Sequence, residues 1–242
     1  MENAITAALS KQLILARALD VAANNVANQT TAGFKSEHAN FREYVSRVAN
    51  PEGGDETVSL VSDADSYTDF TAGGLEPTNA PLDFAIDGDG FFGVSTNAGI
   101  QYTRDGNFQL NAFGELTTRD GALVLDDTSS PILIDPEIGP ILMSREGELQ
   151  QDGIPIAKLG VFKFEDQSVL QRTGANRFAT DAEPTGEARA VVRQGFIEIS
   201  NVSPMVAMTN MIEIMRAYES AAQVIETSSE LARNAVQTLT EA

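Results

Sequence analysis

The turn Asp-Gly-Asp-Gly-Phe-Phe-Gly at residues 87–93 brings two carboxylates close together, and the chemistry it could do is calcium binding. An EF-hand loop would need an oxygen ligand where Phe91 stands and a glutamate where Ala98 stands, and both are missing. Tight turns at Gly88 and Gly90 between two strands account for the same residues. A Ser-His-Asp triad would have to run through His38, the single histidine, in a segment with no nucleophile elbow. A glycosidase needs only a pair of carboxylates, but 35 acidic residues single out no pair, and aromatic platforms for a sugar are scarce. No glycine fingerprint for a phosphate or dinucleotide lies between a strand and a helix. These residues name no catalytic group, no metal ligand, no cofactor and no small-molecule substrate, so the expectation is a protein that is not an enzyme.

Composition narrows the classes further. With no cysteine, disulfides, thiolate catalysis and cysteine-based zinc sites are excluded. The net charge is −19, which repels phosphate backbones and anionic lipid and argues against nucleic-acid or membrane-surface binding. That charge is uneven. Residues 1–33 are neutral, residues 203–242 carry −3, and the remaining −16 falls between them. Near-neutral ends and an acidic middle predict ends that pack and a body that is wet. No apolar run approaches the roughly 18 residues of a membrane span, and no Sec-type signal pattern opens the chain, so any export is expected to proceed without cleavage.

The elements that must position these residues fall into three parts. From Asn3 to Asn28 the apolar period is helical, with one seam at Leu9, Leu13, Ala16, Ala23 and Ala27 and a second at Ala8, Leu15, Leu19, Ala22 and Val26. Two seams make a face too wide for one partner helix. The amides Asn24, Asn25 and Asn28 close this segment, either as register markers in a packed seam or as groups that cap the helix end in water. Gly33 followed by Phe34 reads as a C-cap with its apolar contact. At the other end Ser203-Pro204 reads as an N-cap and first helical residue. Beyond it Met208, Met211, Met215, Tyr218, Ala222, Ile225, Ser229, Ala232, Val236 and Leu239 keep coiled-coil spacing. Whether these helices pack only on their own domain or on neighbouring molecules is left open by periodicity alone.

Between the helices the period switches to two. Asp-Gly recurs at 87–88, 89–90, 105–106, 120–121 and 152–153, and Thr-Arg-Asp-Gly appears at both 103–106 and 118–121. Strands are predicted at 82–86, 91–95, 108–110, 122–125, 159–164 and 191–199, which argues an antiparallel all-β body. The expected fold is therefore mixed. A discontinuous, coiled-coil-like helical domain comes from residues 1–34 with 203–242, an extended linker or hairpin arm spans 35–80, and a β-rich central domain spans 81–202.

Three blocks in fixed order carry a resemblance: LDVAANNVANQTTAGFK, then LDFAIDGDGFFGV with YTRDGNFQLNAFGELTTRDG, then QGFIEISNVSP with MIEIMRAYESAAQVIETSSEL. Together they resemble the flagellar basal-body rod and hook protein family over nearly the whole chain. Length and the short body are most similar to a proximal-rod subunit. Met215, where distal-rod subunits usually carry glutamine, separates the chain from that alternative, and the hook protein is usually larger. The resemblance implies secretion by the flagellar type III machinery, stacking into the periplasmic rod, and as partners other rod subunits and copies of the chain itself. It places the terminal helices at the axis as the assembly interface and the β-domains further out. A secreted β-rich adhesin or calcium-binding module is the alternative of another class, and it has no need of the C-terminal heptads.

Overall fold

In the computed structural model, the residues described are 2–49, 55–144, 147–185 and 190–240. They divide into two compact units. One gathers Met1–Ala27, Glu37–Asp69 and Val202–Ala242, and the other gathers Asn28–Ser36 and Phe70–Asn201.

The first unit holds two helices, α1 (Glu2–Ala27) and α2 (Pro204–Thr240), and an antiparallel ribbon of β1 (Glu37–Ala49) and β2 (Asp55–Thr68). Helix α1 packs on α2 and on both strands of the ribbon. A two-stranded ribbon has too little apolar contact to stand alone, so this backing by α1 is what makes it viable. Among the described side chains, Ala18, Ala22 and Asn25 of α1 and Ala221 of α2 are buried. Small side chains at these positions let helix backbones approach closely. Among the described residues, no helix is long and apolar enough to cross a membrane.

The second unit is mostly antiparallel β. Its largest sheet runs in the order 171–174, 177–179, 99–103, 91–96, 123–124, 116–118, 108–110, with 161–162 also pairing to 91–96. Smaller sheets join 141–143, 148–151 and 154–158, then 84–87 with 191–194, and 75–77 with 196–198. The strand Phe91–Thr96 explains the double phenylalanine. Successive side chains point to opposite faces. Phe92 and Val94 enter a core with Phe84, Phe108, Leu116 and Leu149, whereas Phe91 enters a second core with Tyr102, Phe164 and Phe178. Both faces are covered, so the strand is apolar without alternation. Gly93 lies against the Phe162 ring, and a Cβ there would come within 2.4 Å of it, so the ring would have to shift.

Several local expectations are corrected. Of the five Asp-Gly pairs, only 120–121 and 152–153 close hairpins, joining 116–118 to 123–124 and 148–151 to 154–158. The predicted strand 191–199 is two strands, Val191–Gln194 and Phe196–Glu198, because Gly195 turns with φ of 77°. Helix α1 ends at Ala27, so Gly33 is not its C-cap.

Candidate assembly surface

On α1 the two predicted seams take different roles. Leu15 and Leu19 are half-buried and Ala22 is buried, so the second seam faces inward. The first seam faces out: Leu13 is 66% exposed and Leu9 50%, with Ala16 half-buried. Along α2 the more enclosed line steps through Ala207, Met211, Ile214, Tyr218, Ala221 and Ile225. It shares Met211, Tyr218 and Ile225 with the predicted seam but is rotated one position from the rest. Met208 and Met215 consequently stand out, at 46% and 41% exposed, while Ala222 is half-buried. Both lines have heptad spacing, so periodicity could not choose between them. The side chains of Ala232 and Val236 lie outside those described. Ile212, which the sequence places beside the seam, is also exposed, and so are Met205 and Val206, which the sequence reading missed because a helix's first turn carries no full heptad of context.

An exposed ridge of this kind has a magnitude. Full burial of a Leu, Ile or Met side chain is worth about 1.5–3 kcal/mol. A ridge of half-exposed residues therefore holds on the order of 5 kcal/mol for whatever covers it, before association costs. Exposed large apolar side chains recur along both helices, at Leu9 and Leu13 on α1 and at Met205, Met208, Ile212 and Met215 on α2.

The three amides separate as well. Asn25 is buried and clamps the ribbon to its own chain: its Nδ2 donates to the Glu37 carbonyl at 2.7 Å, and the Glu37 N–H donates to its Oδ1 at 2.9 Å. Asn28 forms a turn, accepting the Thr31 N–H at its carbonyl (3.1 Å) and the Thr31 hydroxyl at Oδ1 (3.2 Å). Asn24 lies on the exposed side of α1. At the other end α2 starts at Pro204, and the Ala207 N–H donates to the Ser203 carbonyl at 2.9 Å, which puts Ser203 in the N-cap position.

Gly33 has φ of 65°, and its N–H donates to the Glu198 carbonyl at 2.7 Å. A Cβ would sit 2.2 Å from the Asp105 backbone nitrogen. Its role is close backbone approach inside the β unit. Beside it lies a feature the sequence reading missed altogether. Glu198, Lys35 and Arg104 are all but fully buried. The Lys35 ammonium donates to Glu198 Oε1 at 2.6 Å and to the Thr71 carbonyl at 2.7 Å. The Arg104 guanidinium donates to Glu198 Oε2 at 3.0 Å and to the Gly88 carbonyl at 2.8 Å, and it lies over the Phe91 ring. The Gly73 N–H supplies a further donor to Oε1 at 2.9 Å. The first Thr-Arg-Asp-Gly thus feeds a buried ionic node, and the second makes a surface hairpin.

The acidic turn is likewise structural. Gly88 and Gly90 have φ of 120° and 131°. Asp87 pairs with Arg193 at 2.7 Å and Asp89 with Lys163 at 3.2 Å, so each of the two carboxylates is engaged by a different cation. Among the described residues, no group of three His, Cys, Asp or Glu could hold a metal ion. Two other carboxylates are perturbed. Burial pushes Asp105 above the ordinary carboxylate value, against the Asn107 N–H and Arg119. At Asp120 burial pushes upward too, but the Thr118 hydroxyl and the Arg177 guanidinium outweigh it and hold the group below that value.

Comparison with known proteins places these features in a context. Residues 193–238 match the family described as flagellar basal body rod FlgEFG protein C-terminal, and residues 85–151 match the flagellar hook protein FlgE/F/G D1 domain. The chain is 40% identical to the flagellar basal-body rod protein FlgF of Caulobacter vibrioides, covering 99% of this chain and 98% of that protein. It is 36% identical to FlgF of Mesorhizobium japonicum over the same shares. Similarity to the flagellar basal-body rod protein FlgG of Bacillus subtilis is 30%, covering 90% of this chain and 92% of that one.

Proposed function

The chain belongs to the flagellar basal-body rod protein family, and on that premise we propose that it is a proximal-rod subunit that polymerises through the outward apolar ridge of its terminal helices. It is a structural subunit of the rod, most like FlgF, and not an enzyme. The proximal position is supported by the higher identity and fuller coverage toward FlgF than toward FlgG. The single observation that carries the assembly reading is the ridge of Leu9, Leu13, Met208, Ile212 and Met215, which the unit leaves uncovered.

In this reading the two terminal segments act as one coiled-coil-like assembly domain, whose neighbours are copies of the chain and other rod subunits. The β unit supplies the outer body. Delivery is by the flagellar type III apparatus, and the working position is the periplasmic part of the basal body. The rod is then a shaft, and torque passes through many modest apolar contacts shared among neighbours rather than one strong bond. A closed two-fold contact would end growth, so the ridge meets a different surface on the next molecule and builds an open helical array.

The test is Leu13→Asp or Met215→Asp. Burying an unpaired carboxylate in a helix seam costs several kcal/mol. Both side chains are exposed in the isolated chain, so the thermal midpoint stays within about 1 °C of the parent, as for ordinary surface changes. The variant is made and exported but missing from purified basal bodies, and cells do not swim. Normal incorporation of both variants would overturn the assembly reading.

A further inference from the structure

Four of the six methionines fall in residues 205–215, at Met205, Met208, Met211 and Met215. Three of them are exposed, Met205 at 81%, Met208 at 46% and Met215 at 41%. Met211 and Met143 are half-buried. The chain has no cysteine, so methionine thioethers are its only sulfur, and among the described residues Met205, Met208 and Met215 are the most exposed of them. A permanent apolar seam is well served by Leu and Ile at heptad positions, which hold defined rotamers and do not oxidise.

We propose that Met205, Met208 and Met215 form an oxidation-sensitive site, at which a hydroperoxide converts the assembly ridge of α2 into a polar, assembly-incompetent surface before the subunit is built in. This rests on the assembly reading above. The chemistry is a two-electron oxygen transfer. The thioether sulfur attacks the terminal oxygen of the peroxide, the O–O bond breaks, an S=O bond forms, and hydrogen peroxide leaves as water. The sulfur is oxidised and the peroxide reduced, with no other reactant. The sulfoxide is a strong acceptor on a side chain that must be buried against an apolar neighbour. Each one left unpaired lowers association about tenfold or more. In the isolated chain the same groups point to water, so the fold is indifferent to them.

Two measurements decide it. Dilute full-length protein is treated with graded hydrogen peroxide and each methionine is followed by mass spectrometry. Met205, Met208 and Met215 oxidise first, Met211 and Met143 lag, and helical circular dichroism is unchanged. In cells, the triple variant Met205→Gln, Met208→Gln, Met215→Gln stands in for the oxidised ridge, and the triple leucine variant stands in for the reduced one. The leucine variant enters basal bodies like the parent and the glutamine variant does not, falling at least tenfold. Incorporation of the glutamine variant at the parent level would overturn the inference, as would oxidation of Met143 as fast as Met205. If glutamine is tolerated while Leu13→Asp is excluded, the oxidation inference fails alone and the assembly reading stands.

Discussion

Replacing Glu198 by Gln tests whether the buried ionic node holds the β unit together. Glu198 lies 163 residues from Lys35 and 94 from Arg104 in sequence, and its carboxylate sits between the two cations at 2.6 and 3.0 Å. The glutamine is the same size, so packing is preserved. One carboxylate oxygen becomes an amide, a donor turned toward a donor, and two buried cations are left with no counter-charge. Breaking a buried pair from one side costs about 3–5 kcal/mol. At about 3 °C per kcal/mol for a domain of this size, the thermal midpoint falls by roughly 10–15 °C. The comparison is Asp87→Asn, which removes a pair of similar geometry to Arg193 whose side chains are each about half exposed. That pair is worth about 1 kcal/mol or less. Midpoints come from calorimetry on full-length protein in matched buffer. Adding Lys35→Met to Glu198→Gln removes one uncompensated charge and recovers part of the loss. If Glu198→Gln and Asp87→Asn shift the midpoint equally, burial of the node does not matter and the reasoning is wrong.

Other substitutions probe other contacts. Gly33→Ala places a Cβ 2.2 Å from the Asp105 nitrogen and strains a φ of 65°, so it costs about 2–4 kcal/mol or more in the β unit without shortening α1; denaturant unfolding and helical circular dichroism check this. Asn25→Ala leaves the Glu37 N–H and carbonyl without their amide partner and costs about 1–3 kcal/mol, seen as faster hydrogen exchange at Glu37 and in the ribbon; unchanged exchange there would contradict the clamp. Asp105 and Asp120 give opposite pH slopes. The folded Asp105 carboxyl titrates above its unfolded value, so its charge is unfavourable at neutral pH, and Asp105→Asn stabilises there by an amount that vanishes as pH falls through the folded value. Asp120 titrates below its unfolded value, so its contribution is present above the ordinary carboxylate range and disappears in acid, and Asp120→Asn matters only at higher pH; parallel slopes in calorimetry from pH 3 to 7 would refute the assignment.

Much of the mixed architecture was legible in local chemistry. Ser203-Pro204 announced the start of α2, and the alternation at Phe108–Leu110 gave a strand with its observed bounds. Asp-Gly marked hairpins at 120–121 and 152–153, where the strands on either side of the turn pair with each other. At 105–106 the same dipeptide follows Arg104, which Glu198 holds in the interior, and a Cβ on Gly106 would lie 1.7 Å from the Phe84 carbonyl oxygen. Tertiary contacts overrode the local signal. The ridge was half legible. A heptad pattern shows that a seam exists, but Met211, Tyr218 and Ile225 belong equally to two seams one step apart, and only the packed partner selects between them. The node was illegible, since three charged residues far apart in sequence carry no period. The acidic middle had read as a wet surface, which holds for Asp87 and Asp89 but not for Glu198.

Close to the node the chain enters and leaves the β unit at one place. Ser36 and Asn201, the residues at which the chain leaves this unit toward the ribbon and toward α2, are joined by a 2.7 Å hydrogen bond from the Ser36 N–H to the Asn201 side chain. The Asn201 amide also reaches the Thr71 hydroxyl at 3.2 Å, just past the point where the chain returns. Three passages of the backbone are therefore gathered at one stem, and the residues beyond it form a cassette whose ends are already stitched together. Loop closure over a longer insertion adds only about 0.6 kcal/mol per doubling of length, so turns such as Asp135–Ile138 can grow or shrink without disturbing that stem. A lineage can remodel the turns of this unit, adding a domain or trimming a hairpin, while the stem that hands the chain on to the ribbon and to α2 keeps its spacing.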